Sequence, residues 1–117
     1  MNLVLHRAED FNADFDHLYR WYLDRAGEEL AEEFLAAVLV TLRSLAAQPD
    51  FGRPRRFRHQ ALRELRSFRV NPPFVKILLF YRVTGDTLEA WRLIHGSRDL
   101  PRRLVEPPSH ESQSQES

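Results

Sequence analysis

The stretch 75–99, VKILLFYRVTGDTLEAWRLIHGSRD, decides the fold. Val75, Ile77, Leu79, Tyr81 and Val83 fall on one side of a period-two pattern, and Lys76, Leu78, Phe80 and Arg82 fall on the other, as a β-strand demands. Thr84-Gly85-Asp86 supplies the residues a tight reversal tolerates, and Leu88 to His95 resumes the alternation. The pair reads as a β-hairpin. An isolated hairpin is marginal in water, so the rest of the chain must supply further strands and a covering layer.

Working outward, Leu65 to Val70 reads as another strand, broken by Asn71-Pro72-Pro73. Before it, Pro49 to Leu62 (PDFGRPRRFRHQAL) lacks periodicity and reads as a basic loop. At the N-terminus, Asn2 to His6 is long enough for one strand, with Leu3 and Leu5 on one face. Phe11, Phe15, Leu18, Tyr22 and Ala26 then form a helical stripe, which Gly27 ends in a left-handed turn. Glu28 and Glu29 start a second helix, which Gln48-Pro49 stops. That helix carries two apolar stripes: Leu30, Phe34, Val38, Thr41 and Leu45, then Ala31, Leu35, Leu39, Leu42 and Ala46. A face so broad either lies deep in the core or is offered to a partner. Asp99 reads as an N-cap for a short terminal helix, Leu100 to Val105. The expected fold is α+β in the order β-α-α-β-β-β, a helical hairpin packed on a small antiparallel sheet. Residues 1–105 form the domain, and 106–117, with almost no apolar content, read as a disordered tail.

Formal net charge is zero, but the charge is segregated. Residues 1–50 hold four arginines against ten acids. Residues 51–105 hold twelve arginines and Lys76 against four acids, a net charge of +9. Arginine's planar fork suits phosphates and carboxylates, so the second half points to an acidic or polyanionic partner. The absence of cysteine excludes disulfides and thiolate metal sites, which suits a reducing cytoplasm. No apolar run approaches the roughly 20 residues that cross a bilayer. The five histidines show no ligand spacing, and the four glycines form no phosphate loop, so neither a metal nor a cofactor is expected. Ser97, His95 and Asp99 are too close in sequence to form a relay. A direct nucleic-acid binder remains open, with Phe57 and Phe68 interleaved among the arginines.

The second helix ending in SLAAQPDFGRPR, the strand-and-turn motif FYRVTGD and the ending RLIHGSRDLP resemble the ParE/RelE superfamily of type II toxin-antitoxin toxins. The resemblance spans Leu3 to Leu104, and HGSRD is similar to the ParE branch. It implies a cognate antitoxin that wraps the toxin, with Leu35, Leu39 and Leu42 as a landing place for an amphipathic segment. It also implies a target, DNA gyrase in the ParE branch and ribosome-bound mRNA in the RelE branch. For the target surface, Arg63, Arg66, Arg69, Arg82 and Arg98 are the candidates.

If the chain is instead a metal-free ribonuclease, His95, Arg82 and Arg92 are the candidate catalytic residues, since the chemistry needs a base, a phosphate-holding cation and an acid. Two departures from the nuclease members stand against it. Gly96 follows His95 where an aromatic is usual, and Ile77-Leu78-Leu79 precedes the tyrosine where an arginine is usual. The plain reading of His95 is a strand-end residue, and that of Arg98 with Asp99 a local pair and cap. A third reading is a relative that binds an antitoxin without being toxic.

Overall fold

The central hairpin forms as the alternation demands. In the computed structural model, which describes residues 2–96 and 100–108, β4 (Ile77–Thr84) pairs antiparallel with β5 (Thr87–His95) around Gly85 and Asp86. Gly85 has φ 61°, a positive angle at the first turn position that suits a two-residue hairpin. Phe80 opposes Arg92 and Tyr81 opposes Ala90, which leaves Trp91 as the extra residue of a bulge. The bulge resets the alternation, so Ala90 and Leu93 both join the helix-side core while Trp91 packs on the opposite face.

On one side, β3 (Arg66–Arg69) pairs antiparallel with β4, and β2 (Arg53–Pro54) pairs with β3. The two-residue β2 lies within the segment expected to be loop. On the other side, β1 (Val4–Arg7) runs parallel to β5, which makes the five-stranded sheet mixed, in the order β1-β5-β4-β3-β2. The expectation of a wholly antiparallel sheet is corrected here: alternation fixes which face a side chain takes, not which strand lies beside it.

Two antiparallel helices, α1 (Glu9–Ala26) and α2 (Glu28–Ala47), cover one face of the sheet, joined by Gly27 with φ 98°. The broad apolar face of α2 is mostly core: Ala31, Phe34, Val38, Thr41, Leu42, Leu45 and Ala46 are buried. Thr41 fits that stripe because its hydroxyl donates to the Ala37 carbonyl at 2.7 Å and accepts from the Asn71 N–H at 3.2 Å, pinning the turn after β3. The opposite face carries a second cluster of Leu62, Leu65, Leu78, Phe80, Ile94, Leu100 and Leu104, closed by α3 (Leu100–Val105) and a 3-10 turn at Gln60–Leu62. The expected cap, Asp99, lies outside the described residues. Glu106, Pro107 and Pro108 continue along the wall of a cavity against α1 and β5, three residues past the expected domain boundary.

Candidate functional site

Pro49, Gly52 and Tyr81, three signature residues far apart in sequence, meet at one point. The Tyr81 hydroxyl donates to the Pro49 carbonyl at 2.6 Å and accepts from the Gly52 N–H at 2.9 Å. Burial pushes the Tyr81 phenol up from its ordinary value. Arg66 reinforces the same bend, donating to the Gly52 carbonyl at 2.7 Å with Asp50 at 3.6 Å. Phe51 stacks on Phe68 beside it, with ring centroids 6.3 Å apart. These residues buckle the end of α2 onto the sheet, and their polar atoms are taken up in doing so.

Arg92, a candidate nuclease residue, is 4% exposed and fully committed. Its guanidinium binds both carboxylate oxygens of Asp14, at 2.7 and 3.1 Å. Its Nη1 also donates to the carbonyls of Arg103, Leu104 and Glu106 at 3.2, 3.0 and 2.7 Å. Asp14 accepts in addition from the Leu93 N–H at 3.0 Å. Burial pushes the Asp14 carboxyl up, against the pull of Arg92. The sequence reading passed over Asp14. The signal was there, because Asp14 lies three residues after Phe11 and four before Leu18, inside the apolar stripe of α1.

The other two nuclease candidates are not brought together. Arg82 pairs in register with Glu89, while His95 opposes Ile77 six residues further along β5, roughly 20 Å at strand rise. Arg82 donates to the Ala61 carbonyl at 2.8 Å, lies 5.2 Å from the Trp91 ring centroid and has Glu89 at 4.0 Å, while its buried Nε lacks a hydrogen bond. His95 is exposed at the strand end. Among the described residues no cluster of His, Asp and Glu has a metal-binding arrangement.

The arginines expected to form a target surface divide between two faces. Arg66 opposes Tyr81 on the helix side, whereas Arg69 opposes Leu78 on the far side, as a spacing of three in a strand requires. Arg63 is exposed, and Arg98 lies outside the described residues. Arg69 donates to the Val75 carbonyl at 2.8 Å. On its face, at the open end of β2 and β3, stand Arg53 and Arg55. Arg55 Nε donates to the Ser67 hydroxyl at 2.8 Å, and its guanidinium lies over the Phe80 ring at 5.8 Å. Burial first, then the charges of Arg53 and Arg69, push Arg55 down from its ordinary value.

Of the proposed antitoxin contacts, Leu35 and Leu39 are half-buried, but Leu42 is 1% exposed. Leu42 belongs to the core, because the face of α2 that carries it turns onto the sheet. Leu39 lines a groove with Leu5, His6, Arg7, Asn12 and Arg43, and Leu42, though buried, also borders it. That groove borders β1, the sheet's edge strand, where Val4 is 58% and Leu5 41% exposed. Among the described residues no helix is long and apolar enough to cross a membrane.

The sequence model of a family described as the ParE toxin of the type II toxin-antitoxin system parDE matches residues 5–100. Among solved structures, the chain is similar to the chromosomal ParDE toxin-antitoxin system of P. aeruginosa, with 18% identity and a TM-score of 0.66, covering 81% of this chain and 97% of that one. It is also similar to a conserved hypothetical protein of Helicobacter pylori, with 27% identity and a TM-score of 0.47, over 78% and 91% of the two chains. No curated protein matches at a significant level. With the family's model matched over nearly the whole folded part, this chain belongs to the ParE toxin family of type II toxin-antitoxin systems.

Proposed function

We propose that this chain is a cytoplasmic toxin that stalls DNA replication by binding DNA gyrase, and that a cognate antitoxin silences it. Family membership across residues 5–100 carries this reading. The side-chain geometry favours a binding mechanism over RNA hydrolysis. Arg92 is consumed by Asp14 and three carbonyls, and Arg82 and His95 stand at opposite ends of the hairpin. A base and a phosphate-holding cation must converge on one linkage for hydrolysis.

The groove between β1 and α2 is the proposed antitoxin seat. It offers the apolar surface of Leu39 and Leu5 beside an edge strand, a combination that accepts an extended or amphipathic segment. Incubation with gyrase, ATP and supercoiled plasmid tests the target. Accumulated linear plasmid or lost supercoiling, relieved by the antitoxin, is expected. Unaffected gyrase together with cleavage of mRNA on translating ribosomes would overturn the reading in favour of the nuclease branch. Harmless overexpression with intact antitoxin binding would point to a non-toxic relative.

A further inference from the structure

Four arginines of the second half are spoken for. Arg66 pairs with Asp50, Arg82 approaches Glu89, Arg92 is buried with Asp14 and Arg102 pairs with Glu106. Arg53, Arg55 and Arg69 make no ion pair among the described residues. They are nonetheless crowded enough that Arg53 and Arg69 act electrostatically on Arg55. Like charges held this close cost stability unless an anion sits among them. Two of the three are also held in place. Arg55 spends its Nε on Ser67 and has its guanidinium 5.8 Å from the Phe80 ring centroid, and Arg69 spends Nη1 on Val75.

The cluster lies on the sheet face away from α1 and α2, beyond the part that α3 and the Gln60–Leu62 turn close over. Glu64 is the one unpaired carboxylate in the shallow depression that Arg55 and Arg56 line, since Asp50 there is taken by Arg66.

We propose that Arg53, Arg55 and Arg69 form a binding site for the phosphodiester backbone of a nucleic acid. Three guanidiniums on one sheet face, two of them anchored by hydrogen bonds, ask for closely spaced anions. Duplex DNA presents one charge per roughly 1.7 Å of axis, denser than the carboxylates of a peptide. Guanidinium forks also fit phosphate oxygens two at a time. No base is read: the Phe80 ring beneath Arg55 is fully buried, so none can stack on it. This site goes beyond the gyrase reading and does not need it.

The test is fluorescence anisotropy of the full chain, without gyrase, against labelled duplex DNA, single-stranded RNA and polyglutamate over a salt series. Three duplex contacts give a log-log salt slope of about −2.7, a loss of roughly 40-fold in affinity between about 50 and about 200 mM salt. Arg53→Gln with Arg69→Gln, both exposed and so without cost to the core, should reduce the slope to about −0.9, a loss of roughly 3.5-fold over the same range. A matched variant, Arg20→Gln with Arg25→Gln on α1, removes the same charge and should leave the slope unchanged. Binding to duplex DNA with these slopes, or to single-stranded RNA with slopes of about −2.1 and about −0.7 for wild type and variant, supports the site, and the stronger of the two identifies the source of the backbone. Failure to bind either nucleic acid overturns it. So does equal binding to polyglutamate, or an equal loss in the helix variant. Because gyrase is absent, such a failure leaves the proposed target untouched.

Discussion

The Tyr81 hydroxyl accepts a 2.9 Å hydrogen bond from the Gly52 backbone N–H, and a β-carbon built at position 52 would lie 2.6 Å from the Tyr81 ring Cε1. The glycine is required by the closeness of that ring: its φ of −70° is open to any residue, but the space is not.

Gly52→Ala is therefore expected to destabilise the fold by about 1–3 kcal/mol, the usual cost of forcing atoms into a packed site. Tyr81→Phe should cost about 1–3 kcal/mol by leaving the Gly52 N–H and Pro49 carbonyl without a partner. Thermal melts read both, as losses of several degrees. Unchanged melting of Tyr81→Phe would mean that water replaces the hydroxyl.

Removing one partner of the buried Asp14 and Arg92 pair strands the other. Arg92→Met is expected to cost about 3–5 kcal/mol, and Asp14→Leu a similar amount. The double variant should recover much of the loss, because two apolar side chains leave no unpaired charge. Urea unfolding of the four proteins gives the coupling. Additive losses would show that the two groups act independently.

All three tyrosines have phenols pushed above their ordinary value of 10.0: Tyr19 by its hydrogen bond to Glu32, Tyr22 and Tyr81 by burial. For Tyr81, a folded-state value above the unfolded one means stability fully present below pH 10 and lost as pH rises through the higher value. Absorbance titration near 295 nm should show a native midpoint above 10 that falls towards 10 in denaturant. Melts above pH 10 should bring wild type and Tyr81→Phe closer together. A native midpoint at 10 would contradict the buried phenol.

Leu39→Glu, in the groove beside β1, is expected to weaken binding of the proposed cognate antitoxin at least tenfold, equal to about 1.4 kcal/mol, with little change in melting. Leu42→Ala, one turn along the same helix but inside the core, should instead cost about 2–5 kcal/mol of stability. Calorimetric binding paired with melting separates the two effects. Undiminished antitoxin affinity for Leu39→Glu would move the seat elsewhere.

The helical hairpin, the β-hairpin and the end of α2 were legible because each depends on local periodicity and on Gly27, Gly85 and Pro49. The parallel pairing of β1 with β5 was not, since Val4–Arg7 carries no mark of its neighbour. Arg92 looked like a catalytic cation because its partner, Asp14, is 78 residues away: its place inside the apolar stripe of α1 marks it as buried but does not name its partner. The division of Arg66 from Arg69 was within reach, because strand residues three apart face opposite ways. Treating the basic segment as one surface obscured it. Arg53 and Arg55 read only as part of a basic loop, because β2 is too short to announce itself.

Arg92 fastens the first helix to the backbone of residues 103–106. Where the chain is cut or tagged therefore matters more than a polar ending suggests. A truncation just before Glu106 takes away one of the three carbonyls that hold a buried cation, and its effect is felt at Asp14, near the other end of the sequence. Fusions belong beyond Pro108, and a shortened chain that has lost function will have lost a fastening of its N-terminal helix along with its last residues.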